Sequence, residues 1–257
     1  MHLGIKRAFL FCTAGYFIAW LSEYSSIHNG FPYGYYNYIE HTKDQELWVL
    51  GVPFMDSLSY VFLAYASYSV ALMINSPVMR SGRLLYILQT KGIRGSFHTR
   101  VLATVLFVYL DIIIDPVSLQ GDKWFLGQIY EYPEKGVYFG VPISNFAGWF
   151  VVGYVLIYVL QKIDRYMSNK GTKDYFAQRY PGGVLIGPLL YVSVIIFMLS
   201  VTFYIRDYDL GWVGIFIFLL PALFMYSLIK AKLMHGDIDR AVKAHRKDFP
   251  SAVIPKP

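Results

Sequence analysis

The chain has 257 residues, of which 56% are hydrophobic and 18% aromatic, whereas only 16% are charged and the formal net charge is +6. Soluble domains carry about 25% charged residues, so the composition excludes a water-soluble enzyme, a disordered chain, a collagen and a disulfide scaffold. A mean hydropathy of +0.41 predicts a polytopic membrane protein. The single cysteine, Cys12, cannot form an intramolecular disulfide, and we expect it to be a buried small apolar residue.

Six windows of the sequence are long and apolar enough to cross a bilayer as a helix, which takes about 20 residues. They cover about residues 7–27, 52–74, 99–119, 141–162, 184–205 and 211–231. The first begins with basic residues, as a signal peptide does, but it lacks a small-residue cleavage site, and we interpret it as a span. Because no long linker interrupts the chain, we predict an all-α polytopic helical bundle forming a single membrane domain over residues 1–257.

The basic residues predict the orientation of this bundle. The N-terminus, the loops at 75–100 and 162–180 and the tail from 230 onward hold 19 of the 23 lysines and arginines. The other connections hold Lys43, Lys123, Lys135 and Arg206. Since basic loops stay in the cytoplasm, we expect both termini, including the tail at 232–257, on the cytoplasmic side of the cell membrane. The basic excess then faces anionic lipid and not nucleic acid.

Two parts of the chain resemble each other. The block Gly51-Val52-Pro53 precedes the second window, and Gly140-Val141-Pro142 precedes the fourth, 89 residues later. Further positions match in the same order: Tyr60 with Trp149, Tyr65 with Tyr154, Asp56 with Asn145 and, at an offset of 92, Glu23 with Asp115. These matches predict a parallel repeat with units at about 7–74 and 99–162, followed by C-terminal spans at about 184–231. Proline suits the first turn of a helix, so we expect Pro53 and Pro142 to open the second and fourth spans.

Three acidic residues lie near the outer ends of the first and third spans, namely Glu23, Asp111 and Asp115. Asp111 and Asp115 share one helical face, and Pro116 should end or kink their helix directly after the acid. Ionisable residues within membrane spans are costly and usually functional. If these acids lie close together away from water, at least one should stay protonated at neutral pH and act as a general acid. The alternative is that they sit in interfacial water and cap loops.

Aromatic residues are concentrated in the loops before the second and fourth spans. An interfacial belt is one explanation, and a groove for a long apolar ligand or a developing cation is the other. The six histidines form no closely spaced pair, and the sequence has no glycine-rich phosphate loop, nucleophile elbow or Cys-x-x-Cys. We therefore expect neither a metal nor a cofactor.

Four blocks resemble the membrane carotenoid biosynthesis protein family. They are Gly30-Phe31-Pro32-Tyr33-Gly34-Tyr35, Gly51-Val52-Pro53, the stretch from Asp111 to Val117, and the stretch from Tyr138 to Trp149. That family includes carotenoid 1,2-hydratases, which act on lycopene or γ-carotene, and bisanhydrobacterioruberin hydratases. The resemblance, which covers about residues 23–161, implies a cofactor-independent hydro-lyase. Such an enzyme would hydrate the terminal C1–C2 double bond of an acyclic carotenoid, with the carotenoid, water and membrane lipid as its partners; contact with other carotenoid enzymes stays open.

The resemblance also suggests roles for the candidate residues. Protonated Asp115 or Asp111 would be the acid, and Glu23 a partner or a water-orienting base. Asn145 and Asp56 would position water, and Tyr33, Tyr138 and Trp149 would flank the polyene end or the cation. Two alternatives stay open, a carotenoid cyclase with the same protonation chemistry and a transporter or binding protein that uses the acids as a relay. The acids occupy one leaflet, which favours a one-sided site over a conduit.

Overall fold

The structure, a computed structural model, describes residues 3–40, 43–82, 84–123, 127–172, 181–250, 252 and 254. These residues contain eight α-helices: α1 (Ile5–Asn29), α2 (Phe54–Asn75), α3 (Lys91–Arg94), α4 (Phe97–Ser118), α5 (Ile143–Asn169), α6 (Ile186–Tyr204), α7 (Tyr208–His235) and α8 (Ile238–Asp248). They also contain three antiparallel strand pairs: β1 (Asn37–Tyr38) with β6 (Tyr130–Glu131), β2 (Trp48–Val49) with β3 (Val52–Pro53), and β4 (Val78–Ser81) with β5 (Leu84–Ile87). The predicted all-α membrane bundle is confirmed.

All six predicted windows form helices. Within the described ranges, five helical segments are long and apolar enough to cross a membrane: α2, α4, α5, Gly182–Tyr204 and Tyr208–Met234. Helix α1, with 25 residues, is long enough as well but is not among the five, and its buried face carries the polar residues Arg7, Glu23 and Ser26. The chain is a multi-pass membrane protein, and the buried polar face of α1 shows that this helix contributes to the interior of the bundle.

The core of the bundle lies among α1, α2, α4 and α5. Helices α2 and α4 pack against each other, α1 packs against α2 and α5, and α4 packs against α5. Phe11, Tyr68, Phe107 and Leu156 are fully buried in this core. Helix α6 packs on α2 and α4, and α7 packs on α6. The four core helices therefore bring side chains from both predicted repeat units together.

The two Gly-Val-Pro blocks turn the chain into α2 and α5. Gly51 and Gly140 have φ angles of +84° and +88°, which glycine adopts without strain. Pro53 and Pro142 are the residues immediately before the first helical turn, one position earlier than expected. Helix α4 continues through Pro116 and ends at Ser118, so the proline does not end the helix directly after Asp115. The proline thus lies in the last turn, where it disturbs few backbone hydrogen bonds.

The prediction that Cys12 is buried was wrong. Its side chain is exposed on α1, next to a surface that also exposes Phe9, Phe17 and Leu21. In a membrane bundle the outer surface meets lipid, so a small apolar side chain gains little from being inside.

A buried ionic cluster ties three helices together at the other end of the bundle from the predicted acids. The Asp164 Oδ1 atom on α5 lies 2.9 Å from Arg7 Nε on α1 and 3.0 Å from Arg94 Nη2 on α3. All three residues are at most 6% exposed. In the sequence these three residues are simply charged residues near the ends of spans. Arg7 and Asp164 are 157 residues apart, so no local sequence pattern predicts that they pair.

We expect Lys232→Met to lower stability by about 1–2 kcal/mol. The Lys232 Nζ atom donates to the carbonyls of Met73, Ile74 and Ser76 at the end of α2, at 3.0, 2.5 and 2.7 Å. A cation there satisfies carbonyls that have no partner within the helix and interacts favourably with the helix dipole. Thermal unfolding in detergent measures the loss. Lys230→Met, which removes an exposed lysine of the same helix, is the control; equal losses in both variants would contradict the capping role.

Candidate active site

A pocket of about 520 Å³, counted with its open mouth, lies among the core helices at the end where α2 and α5 begin. Six of the eight predicted site residues line it: Glu23, Tyr33, Asp56, Asp115, Asn145 and Trp149. Asp111 lies behind the wall, bonded to Asn145. Residues 92 positions apart in sequence, Glu23 and Asp115, thus contribute to one pocket.

One side of the pocket carries the aspartates of α4. The Asn145 side-chain amide donates to Asp111 Oδ2 at 2.8 Å and to Asp115 Oδ2 at 2.6 Å. Asp111 is 0% exposed and Asp115 6%, and the two carboxyl groups also interact with each other. Within the described part of the chain, no ion pair involves either aspartate. The predicted shared face is confirmed, and it holds two adjoining carboxyl groups with no cation against them.

The other side of the pocket carries Glu23 from α1 and Asp56 from α2. Glu23 is 3% exposed, while Asp56 is half-buried. The Tyr38 hydroxyl donates to Glu23 Oε2 at 2.8 Å and also hydrogen-bonds Asp56 Oδ2, and Tyr36 donates to the same Glu23 oxygen. Glu23 and Asp56 are therefore joined through one phenol.

Strands β1 and β6 place four tyrosines between the two acidic groups. Asn37 pairs with Glu131 and Tyr38 with Tyr130. From β1 and the residue before it, Tyr38 and Tyr36 bind Glu23. From β6 and the residue after it, Tyr130 donates to Asp115 Oδ1 at 2.7 Å and Tyr132 donates to Asp115 Oδ2 at 2.9 Å. The strand pair is only two residues long, but it fixes both sets of hydroxyls over the pocket.

The tyrosines of these loops stay neutral donors. Burial, and then the charges of Asp56 and Glu23, raise the pKa of Tyr38 well above its usual value. Burial and the Asp115 charge likewise raise the pKa of Tyr130 and that of Tyr132. Because each phenol keeps its hydrogen, it stabilises the carboxylate that it contacts.

Aromatic rings form the wall of the pocket deeper in the bundle. The rings of Tyr60 and Trp149 stack with centroids 4.6 Å apart and planes at 24°, and Phe107 packs on Trp149 at 4.6 Å. Tyr33 is 1% exposed and bonds Ser22 through its hydroxyl at 2.9 Å. Gly148 lets α5 approach the loop of Tyr33, since a Cβ there would lie 2.7 Å from the Pro32 carbonyl oxygen. The wall can stabilise a cation through π faces.

The structure does not bring Tyr138 into the pocket wall. Its half-buried ring packs on Phe139 at 5.1 Å and on Phe146 at 5.9 Å. The reason is the backbone of the second Gly-Val-Pro block, where Tyr138 pairs with Val141 in a tight turn before α5. The turn leaves the Tyr138 side chain outside the lining of the pocket.

Sequence reasoning left open that the loop aromatics line a groove, but it assigned no role in the site to five tyrosines: Tyr36, Tyr38, Tyr60, Tyr130 and Tyr132. A signal was present, because Tyr36-Asn37-Tyr38 and Tyr130-Glu131-Tyr132 repeat the pattern Tyr-x-Tyr 94 residues apart. An interfacial belt explains aromatic loops equally well, so only the hydrogen bonds to the carboxylates identify these residues. Among the described residues, no group of three or more His, Cys, Asp or Glu side chains could hold a metal ion.

Comparisons with known proteins agree on one family. A family model described as "Carotenoid biosynthesis protein" matches residues 1–227. The bisanhydrobacterioruberin hydratase of Haloarcula japonica is 29% identical over 154 residues, which cover 59% of this chain and 44% of that protein. The match thus spans less than half the length of this relative. No solved structure matches the chain.

Proposed function

Because the chain belongs to the carotenoid biosynthesis protein family, we propose that it hydrates the terminal C1–C2 double bond of an acyclic carotenoid to a tertiary alcohol. The observation that carries this proposal is the pocket, in which Asp115 and Glu23 lie beside an aromatic wall inside a membrane bundle. The name of the distant Haloarcula relative points to the same type of reaction. End groups of the lycopene, γ-carotene or bisanhydrobacterioruberin type are the candidate substrates.

Asp115 is the acid in this proposal. The carboxyl groups of Asp111 and Asp115 accept hydrogen bonds from the same Asn145 amide. Because two carboxyl groups this close cannot both ionise easily away from water, the pair keeps one proton. Asp115 lines the pocket and Asp111 does not, so Asp115 delivers the proton to C2. The C1–C2 π electrons form the new C–H bond, and C1 becomes a tertiary cation. The π faces of Trp149 and Tyr60 stabilise that cation.

Glu23 is the base that completes the addition. A water molecule held by Asp56 attacks C1, and its second hydrogen passes to Glu23 as the C–O bond forms. The product has gained one water, and the addition involves no net oxidation or reduction. Neither a redox cofactor nor an activated nucleophile is required by this balance.

The membrane fold suits a substrate of this kind. An end group would enter the pocket through its open mouth, and the remainder of the polyene would extend into lipid beside the apolar helices. We propose the cell membrane as the location, with both termini in the cytoplasm, because of the distribution of basic residues. The pocket then lies in the outer half of the bilayer.

Expression in hosts that accumulate lycopene, γ-carotene or bisanhydrobacterioruberin tests the reaction. We expect at least one host to form a pigment heavier by one water, which mass spectrometry of the extracted pigments detects against the same host without the gene. A cyclase would leave the mass of the pigment unchanged while altering its absorption. An unchanged pigment profile in all three hosts would contradict the proposal.

A further inference from the structure

The hydrogen bonds around Glu23 leave room for one proton. Three of the contacts between phenols and carboxyl groups join four residues: Tyr36 with Glu23, Tyr38 with Glu23, and Tyr38 with Asp56. Each of these contacts is complete with one hydrogen, and the two phenols supply two. A third hydrogen, taken up by Glu23 or Asp56, would complete the set. The cluster therefore has one place for a proton, shared between two carboxyl groups that Tyr38 connects.

The two carboxyl groups differ in their access to water. Glu23 is 3% exposed, and its Oε2 atom already accepts from both Tyr36 and Tyr38. Asp56 lies in the first turn of α2 and is half-buried. A proton that Glu23 takes up can reach the more accessible Asp56 through the Tyr38 hydroxyl, which accepts from one carboxyl as it donates to the other.

The aspartate side of the pocket has no such connection. Asn145 stands where the proposed repeat aligns it with Asp56, and its amide donates to Asp111 and Asp115. A side-chain amide donates hydrogen bonds but, unlike a carboxyl group, does not accept and release protons at neutral pH. Tyr132, at the place of Tyr38, contacts Asp115. Both halves of the pocket thus have tyrosines bound to a carboxyl group, but only the Glu23 half has a second carboxyl group, Asp56, that can receive a relayed proton.

We propose that Tyr38 relays the proton that Glu23 takes from water to Asp56, an inference that rests on the hydration proposed above. The water O–H bond breaks as Glu23 gains the proton; Glu23 then gives it to the Tyr38 oxygen while the Tyr38 hydrogen moves to Asp56. Asp56 releases a proton to water at the pocket mouth, and Asp115 regains one from water once the product has left. The number of protons on the protein is therefore the same before and after one turnover, as hydration requires. Tyr38 is a positioning residue here, since it acts through Glu23.

Tyr38→Phe, Asp56→Asn and the double variant test the relay in the purified full-length protein with lycopene. We expect the first turnover of Tyr38→Phe to stay within about twofold of wild type, and the later turnovers of both single variants to slow by about tenfold or more relative to their own first turnover. The double variant should be no slower than the slower single variant, because both changes interrupt one path. Tyr35→Phe, which removes an exposed hydroxyl of the same loop, should leave all turnovers unchanged.

The outcomes distinguish a failure of the relay from a failure of the hydration. If wild type hydrates and Tyr38→Phe turns over normally, or if it slows the first turnover as much as the later ones, the relay is wrong and the hydration stands. Additive losses in the double variant would also overturn the relay. If Tyr38→Phe does not fold, Asp56→Asn alone must show the slowing of later turnovers for the relay to hold. If wild type forms no alcohol from any of the three carotenoids, the hydration fails and the relay fails with it.

Discussion

Asp115→Asn is expected to lower the hydration rate by at least about 100-fold, the usual contribution of a positioned general acid. Asparagine keeps the size of the side chain and an oxygen for one of the hydroxyls of Tyr130 and Tyr132, which now bind Asp115. It has no proton of suitable acidity to give to C2. The folded yield should therefore change much less than the rate, which pigment analysis and size-exclusion chromatography measure separately.

A matched control separates the role of Asp115 from a general effect of removing an acid. Asp209, in the first turn of α7, is exposed and lies outside the pocket lining. We expect Asp209→Asn to hydrate at the wild-type rate. Asp115→Asn protein that folds and retains full activity would show that the acid lies elsewhere in the pocket.

Asp164→Ala is expected to cost about 3–5 kcal/mol of stability, because it leaves two buried guanidinium groups without their shared carboxylate. Arg7 and Arg94 are 4% and 5% exposed and both contact Asp164 Oδ1. For a chain of this size the loss corresponds to a fall in Tm of roughly 6–20 °C. Thermal unfolding in detergent micelles gives the difference from wild type.

The exposed Lys43–Glu40 ion pair provides the control. Its side chains are 53% and 65% exposed at an N–O distance of 2.6 Å. Because such surface pairs are worth about 0–1 kcal/mol, Glu40→Ala should change Tm by only a few degrees. If Asp164→Ala is no less stable than Glu40→Ala, the buried cluster does not hold α1, α3 and α5 together as its geometry indicates.

The acids of the site could be predicted because an ionisable residue inside an apolar window is rare and costly. Glu23, Asp111 and Asp115 each stand out individually, without knowledge of any contact. The placement of α2 and α5 could also be predicted, since glycine and proline at their starts restrict the backbone locally. These features depend on one residue and its immediate neighbours in the chain.

The parts that could not be predicted depend on pairs that are distant in sequence. The pairing of Asn37 with Glu131 joins strands of two residues each, which are too short for an alternating pattern. Without this pairing, no sequence feature distinguishes these tyrosines of the site from those of an interfacial belt: Tyr36, Tyr38, Tyr130 and Tyr132. Asp164 was overlooked for the same reason: an acid in a basic segment looks solvated until Arg7 and Arg94 are placed beside it.

Isotope incorporation by the purified protein tests the hydration most directly. Lycopene, γ-carotene and bisanhydrobacterioruberin are each incubated with wild-type protein in heavy water that also carries oxygen-18. We predict that at least one yields a tertiary alcohol with one deuterium at C2 and oxygen-18 at C1, and that Asp115→Asn yields neither at a comparable rate. Pigments that return without deuterium and without oxygen-18, from protein that is folded and binds them, would contradict acid-catalysed hydration at this pocket.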